Sequence, residues 1–114
     1  MQLSDYKFGS IKIDDITYTA DVIITPDRVI DAWWRQQGHN LQVDDLEEII
    51  NANPDVLIIG TGYYGRMQVP ADTKRFLQQK GIEVRQEKTG DAVRLFGQLQ
   101  QEYGRIVAAL HLTC

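Results

Sequence analysis

Three glycines, Gly60, Gly62 and Gly65 in LIIGTGYYGRM, spell G-x-G-x-x-G directly after an aliphatic run. In a dinucleotide-binding turn, that spacing bends the chain tightly at a strand end. It brings backbone amides against a pyrophosphate and opens a helix whose N-terminus faces the phosphates. The chemistry therefore depends on where the next helix begins. The next start signal is Pro70, and the intervening YYGRMQV offers no good cap. Glu83 or Glu87 stands about where a ribose-binding acid would sit, but charged residues after strands are common. The expectation is an open segment after Gly62, no nicotinamide site and no cofactor. A smaller chemistry remains available there. Gly60 and Gly62 permit a sharp turn at the carboxyl end of a strand, with positive φ where needed, and α/β sheets form crevices at that end. The amides of Thr61 and Gly62, with Arg66 nearby, could hold a small anion.

A second cluster is Trp33, Trp34, Arg35 and His39 in AWWRQQGH. Tryptophan and arginine are enriched at binding hot spots, and together they can stack as a cation on a ring. The plainer reading makes one tryptophan core and the other a lid over it, with His39 hydrogen-bonded at the acidic helix start that follows. His111 and Cys114 form a third pair. A thiol beside an imidazole can be an activated nucleophile, but a separation of three along a strand sends the two side chains to opposite faces. No catalytic residue is assigned. The two histidines and one cysteine give no metal-ligand spacing. Asp14-Asp15 and Asp44-Asp45 are adjacent pairs in turn or cap positions and need no catalytic explanation.

The elements that must hold these residues can be read from periodicity. FGSIKI and ITYT flank Asp14-Asp15 as a hairpin flanks its turn. VIIT, residues 22–25, is a short strand that Pro26 ends or displaces to a sheet edge, and RVIDAWW holds another short strand. Asp44 and Glu47 have capping-box spacing before a helix bearing Leu46, Ile49 and Ile50, which Pro54 stops. VLIIG, residues 56–60, has the all-apolar composition of a central strand covered on both faces. A helix from Pro70 to Lys80 is closed by Gly81, and IEVRQ alternates as a strand. Thr89 is placed to cap a third helix with an apolar stripe of Ala92, Leu95, Phe96, Leu99 and Tyr103, closed by Gly104; RIVAALHL is a last buried strand. The second half thus reads strand, helix, strand, helix, strand, with the strands parallel neighbours. The architecture expected is a mixed central sheet with helices and a small β layer packed beside it.

A chain of 114 residues is one domain, residues 1–114, with enough length for a core without a staple. The single cysteine rules out an intrachain disulfide and fits a reducing, cytoplasmic setting. MQLSDYKFGS lacks the basic start and apolar stretch of a signal peptide, and no apolar run approaches a membrane span. The net charge of −4 is unevenly spread: residues 1–55 carry eleven acids and four bases, residues 56–114 five acids and eight bases. An acidic total disfavours general nucleic-acid binding. The asymmetry could steer a protein partner, or simply reflect acids gathered in turns and helix starts.

Read together, AWWRQQGH, VDDLEEII, PDVLIIGTG, GIEVRQEKTGDAVRLFGQL and GRIVAALHLTC resemble the MTH938-like family over about residues 6–114. That resemblance implies an α/β fold of three layers (β+α/β/α) around a mixed, mostly parallel five-stranded central sheet, with N-terminal β-hairpins. It implies no established reaction and no cofactor. Mitochondrial relatives act as assembly factors for respiratory complex I, so a non-catalytic protein-binding role is the leading expectation, with an unidentified protein as partner. The alternative is a small-ligand or anion-binding domain, possibly an enzyme, at Gly60–Arg66. Self-association through an edge strand of the N-terminal hairpins is a further expectation.

Overall fold

A computed structural model describes all residues, 1–114. Strands β1 (Leu3–Lys7), β2 (Ser10–Ile13) and β3 (Ile16–Tyr18) form an antiparallel meander. Its second turn is closed by Asp14 and Asp15, both with positive φ (48° and 70°), while Ile13 pairs with Ile16. Two left-handed residues match the twist of a two-residue hairpin, and aspartate tolerates that conformation better than most side chains.

A second sheet has the order β5-β4-β8-β6-β7, built from β4 (Val22–Ile24), β5 (Val29–Ile30), β6 (Val56–Gly60), β7 (Glu83–Glu87) and β8 (Ile106–Leu110). β6 pairs in parallel with both β7 and β8, and β4 runs antiparallel to β8 and β5. Four strands therefore point one way and β4 the other. Pro26 does not push β4 to an edge. It lies beyond the strand's end, so β4 keeps its ladder on both sides and sits inside the sheet.

Side chains of the central strands alternate between two cores. Val56 and Ile58 of β6, with Ala108 and Leu110 of β8, pack beneath Ile11 and Ile13 of the small sheet and Ala92, Phe96 and Leu99 of α3 (Thr89–Leu99). Leu57, Ile59, Val107 and Ala109 face the opposite side. There they meet Ile49 of α1 (Glu47–Asn51) and Leu77 of α2 (Ala71–Gln79). The layers are thus small sheet plus α3, central sheet, and α1 with α2.

Local signals act as expected at α2, which begins just after Pro70 and ends before Gly81 at φ +78°. The first helical segment differs. A 3-10 turn over Val43–Leu46 precedes α1, and the Asp45 carboxylate accepts from the Gln42 amide at 2.9 Å. The capping acid is therefore Asp45, three after Gln42, rather than a box from Asp44 to Glu47. Thr89 does not cap α3 either. It is the first helical residue, and its hydroxyl is committed to two other segments.

Candidate functional site

The residues singled out by type converge at the carboxyl end of the parallel strands. Leaving β6, the chain runs through residues 61–70 without helical turns before α2 starts at Ala71. The first amides of α2 therefore do not open from the glycine motif, as a pyrophosphate cradle requires. The loop's own amides bond within the chain. Thr61 N donates to Glu87 O (2.9 Å), Gly62 N to Thr89 Oγ1 (2.8 Å) and Tyr63 N to Thr113 O (2.6 Å). Gly65 N, Arg66 N and Met67 N donate to Gly62 O, Cys114 O and Thr61 O. An anion at Thr61 and Gly62 would have to displace these bonds.

The glycines answer to close packing. Gly62 has φ +111°, and a Cβ there would lie 2.4 Å from the backbone carbon of Cys114. Gly60 needs no positive φ, contrary to one sequence-based expectation; a Cβ on it would lie 2.8 Å from Thr89 Oγ1 and 2.9 Å from Leu110 Cδ2. Residues 111–114 are thus a strap threaded between the glycine loop and the β1–β2 turn, where Gly9 N donates to Leu112 O at 2.9 Å. Thr89 Oγ1 ties the strap to the loop by donating to His111 O (2.6 Å) while accepting from Gly62.

The strap's other anchor is Asp21, just before β4. Its Oδ1 accepts from Leu112 N and its Oδ2 from His111 Nδ1 and Arg35 Nη2, each at 2.8 Å. A carboxylate partner makes Nδ1 the protonated nitrogen, so Nε2 carries the lone pair in the neutral ring. Nε2 is buried without a partner. Burial works to raise the Asp21 carboxyl, but hydrogen bonds from His111, the Leu112 amide and Arg35 outweigh it and hold the group below the ordinary aspartate value.

Arg35 is buried here, donating also to Gly38 O at 2.9 Å, with its guanidinium 4.6 Å from the Trp33 ring centre. Trp33 is buried too, whereas Trp34 is 75% exposed. The cluster read from AWWRQQGH therefore divides. Trp33 and Arg35 face inward, Trp34 faces solvent, and exposed His39 lays its ring 5.7 Å from that of His111. His39 is not at the acidic helix start; its carbonyl accepts from Gln68 N, joining this loop to the one after Gly60.

On the outer side of the glycine loop, Tyr63 and Tyr64 stack edge-on at 5.1 Å and meet Phe8 from the β1–β2 turn at 5.9 and 6.1 Å. Tyr6 lies 6.1 Å from Tyr63, and the Arg66 guanidinium sits 5.8 Å from the Tyr64 ring centre. Phe8, Tyr63 and Tyr64 are 50%, 48% and 59% exposed, which makes this a built aromatic surface rather than a scatter of single rings. Beside it, Lys88 and the Arg94–Asp91 ion pair border a depression of about 310 Å³ shared with Tyr6 and Tyr63. On the α2 side of the same loop, an open groove of about 570 Å³ is lined by Thr61, Lys74, Gln78, Gln86, Glu87 and Lys88, among others. Sequence reasoning missed Asp21, Phe8 and the bridging role of Thr89. A lone histidine inside the apolar run RIVAALHL was the available signal for an internal partner.

A family model described as "Protein of unknown function (DUF498/DUF598)" matches residues 3–111. Among solved structures, the chain resembles the conserved hypothetical protein PH1505 of Pyrococcus horikoshii OT3, with 29% identity, full coverage of both chains and a TM-score of 0.85. It also resembles the protein MT938, with 22% identity over 99% of this chain and 98% of that one and a TM-score of 0.77. A Mth938-like domain from Bordetella pertussis matches with 19% identity over 97% of this chain and 85% of that one and a TM-score of 0.74. These likenesses support the MTH938-like fold. No helix in the chain is long and apolar enough to cross a membrane.

Proposed function

From the premise that the chain belongs to the DUF498/DUF598 family, we propose that it is a non-catalytic protein-binding module that docks through the aromatic surface at the carboxyl end of its sheet. The observation that carries this reading is the exposed set Phe8, Tyr63, Tyr64 and Arg66, gathered from two segments more than fifty residues apart in sequence. Tyrosine and arginine are the types that concentrate binding energy, because they bring large area and polar tips at modest cost in side-chain freedom. Lys88 extends the positive rim, while Arg94 beside it is paired with Asp91. The partner that fits is a protein segment presenting carboxylates beside apolar side chains. Asp21 and His111 Nδ1, the groups best suited to acid–base work, fasten the strap that shapes this surface, and the unpartnered His111 Nε2 is buried away from it. An assembly-factor-like role, implied by the resemblance to the mitochondrial relatives, is compatible with such a surface.

Affinity capture from the native cell, followed by titration of the recovered partner with pure components, tests the reading. A Phe8→Ala, Tyr64→Ala variant should retain its melting temperature and bind the partner at least tenfold more weakly, as expected when hot-spot aromatics are removed. Equal affinity for wild type and variant would reject this surface. A second reading is favoured by Lys74 and Lys88, which outnumber the single acid Glu87 on the 570 Å³ groove: a small anionic ligand held beside the glycine loop rather than on its amides. A thermal-shift screen with phosphates, nucleotides and carboxylates addresses it, since a ligand at a hundred times its Kd stabilises by about 2.7 kcal/mol.

A further inference from the structure

The first half of the chain holds a surface of opposite sign. An open groove of about 300 Å³ runs between the end of β5 and the 3-10 turn and α1. Its walls carry Asp31, Asp44, Asp45, Glu47 and Glu48, and no lysine or arginine lines it. Trp34, 75% exposed, stands in the same groove. Trp33 forms part of the wall; although it is more than nine-tenths buried, its indole N–H has no acceptor in the chain. Trp33 is accounted for as a core residue, but a solvated acidic face does not account for Trp34. An indole left in water beside several carboxylates is suited to a cation.

We propose that this groove binds an arginine-bearing segment of a partner protein, with the guanidinium against the Trp34 ring and paired to Asp44, Glu47 or Glu48. Charge complementarity selects the occupant. An aromatic face and several carboxylates both favour a cation, and arginine satisfies them together because its planar fork stacks and chelates at once. Asp45 is the least available acid, since its two oxygens already accept from Gln36 N and Gln42 N. The groove is separate from the Phe8–Tyr64 surface, so this inference does not rest on that one. With both in use, the domain presents an acidic dock and a basic dock.

The test is calorimetric titration of the full chain with a terminally blocked penta-arginine peptide, with penta-glutamate as the opposite-charge control. Binding of the first and not the second is expected, weakening steeply with added salt. Trp34→Ala leaves the protein charge unchanged and should weaken binding by about 5- to 30-fold, the range of one desolvated cation–π contact, whereas Trp34→Phe should recover part of the loss. Glu47→Gln with Glu48→Gln should also weaken it. Neutralising two acids elsewhere, Glu83→Gln with Glu87→Gln, should change it little. Equal affinity for wild type and Trp34→Ala, or equal weakening by the remote pair, would reduce the effect to net charge and overturn the proposal. Self-association that vanishes with Trp34→Ala, without peptide binding, would also overturn it, because the occupant would then be a second copy. A thermal melt of each variant verifies that loss of binding is not loss of fold.

Discussion

Substituting Asp21→Asn removes one charge and asks how much the strap depends on it. In the native protein the carboxylate takes three hydrogen bonds, from Leu112 N, His111 Nδ1 and Arg35 Nη2, all at 2.8 Å. Arg35 is nearly enclosed, with a side-chain exposure of 4% against 16% for Asp21. Asparagine retains an acceptor but leaves the guanidinium without its counter-charge in a buried site. Breaking a buried pair from one side costs about 3–5 kcal/mol; the residual exposure of Asp21 and the remaining bond from Arg35 to Gly38 O place the expected loss near the lower end, about 3 kcal/mol. Urea unfolding at neutral pH measures it directly. The pH dependence supplies a second reading of the same charge. The native carboxyl lies below its ordinary value, so its contribution is complete above the unfolded value of about 4 and disappears as pH falls from there through the lowered native value. Wild type should therefore lose more stability on acidification than Asp21→Asn, and the two curves should converge at low pH. Adding Arg35→Met to the variant should recover part of the loss, because the stranded cation is then gone. A loss below about 1 kcal/mol at neutral pH, or parallel acid limbs, would refute this account of the strap.

Other perturbations probe neighbouring joints. Gly62→Ala forces a Cβ at φ +111° into the Cys114 backbone, and we expect a loss of about 2–4 kcal/mol in urea unfolding, from backbone strain and the strap bonds it displaces. Thr89→Val removes a fully buried hydroxyl that serves Gly62 N and His111 O; it should cost about 2–3 kcal/mol, while Thr89→Ser costs under half as much. Tyr64→Ala, at an exposed ring, should alter unfolding free energy by no more than about 0.5 kcal/mol, separating docking from folding at that surface.

What the sequence disclosed was local and periodic. VLIIG and RIVAALHL read as central strands because every position is apolar or nearly so, and both strands are buried on two faces between layers. Asp14-Asp15 marked a hairpin because two adjacent aspartates tolerate the left-handed turn. The late helix start at Pro70 argues against reading G-x-G-x-x-G as a dinucleotide turn, and α2 begins one residue later. The site was less legible because its bonds join residues that no period relates. Asp21 and His111 are 90 positions apart, and Phe8 meets Tyr63 only because the strap brings the β1–β2 turn to the glycine loop. Arg35 looked like a surface hot-spot residue beside two tryptophans; its partner lay outside any window that would have shown it turning inward.

The position of β8 has a consequence for how the chain reaches this state. It is the last strand in sequence, yet it lies between β4 and β6 and bonds to both. During synthesis, β4 and β6 leave the ribosome long before the strand that joins them. The β4–β8 ladder waits on a loop closure of some eighty residues, from Ile24 to Ala108, and the β6–β8 ladder on one of about fifty, from Ile58 to Ala108. Folding should thus be governed by late, non-local insertion of β8 rather than by stepwise growth of the sheet, and slow for so short a chain. Until β8 inserts, the all-apolar β6 stands with an unpaired edge, and that interval is when the nascent protein is most exposed to aggregation and most in need of a chaperone.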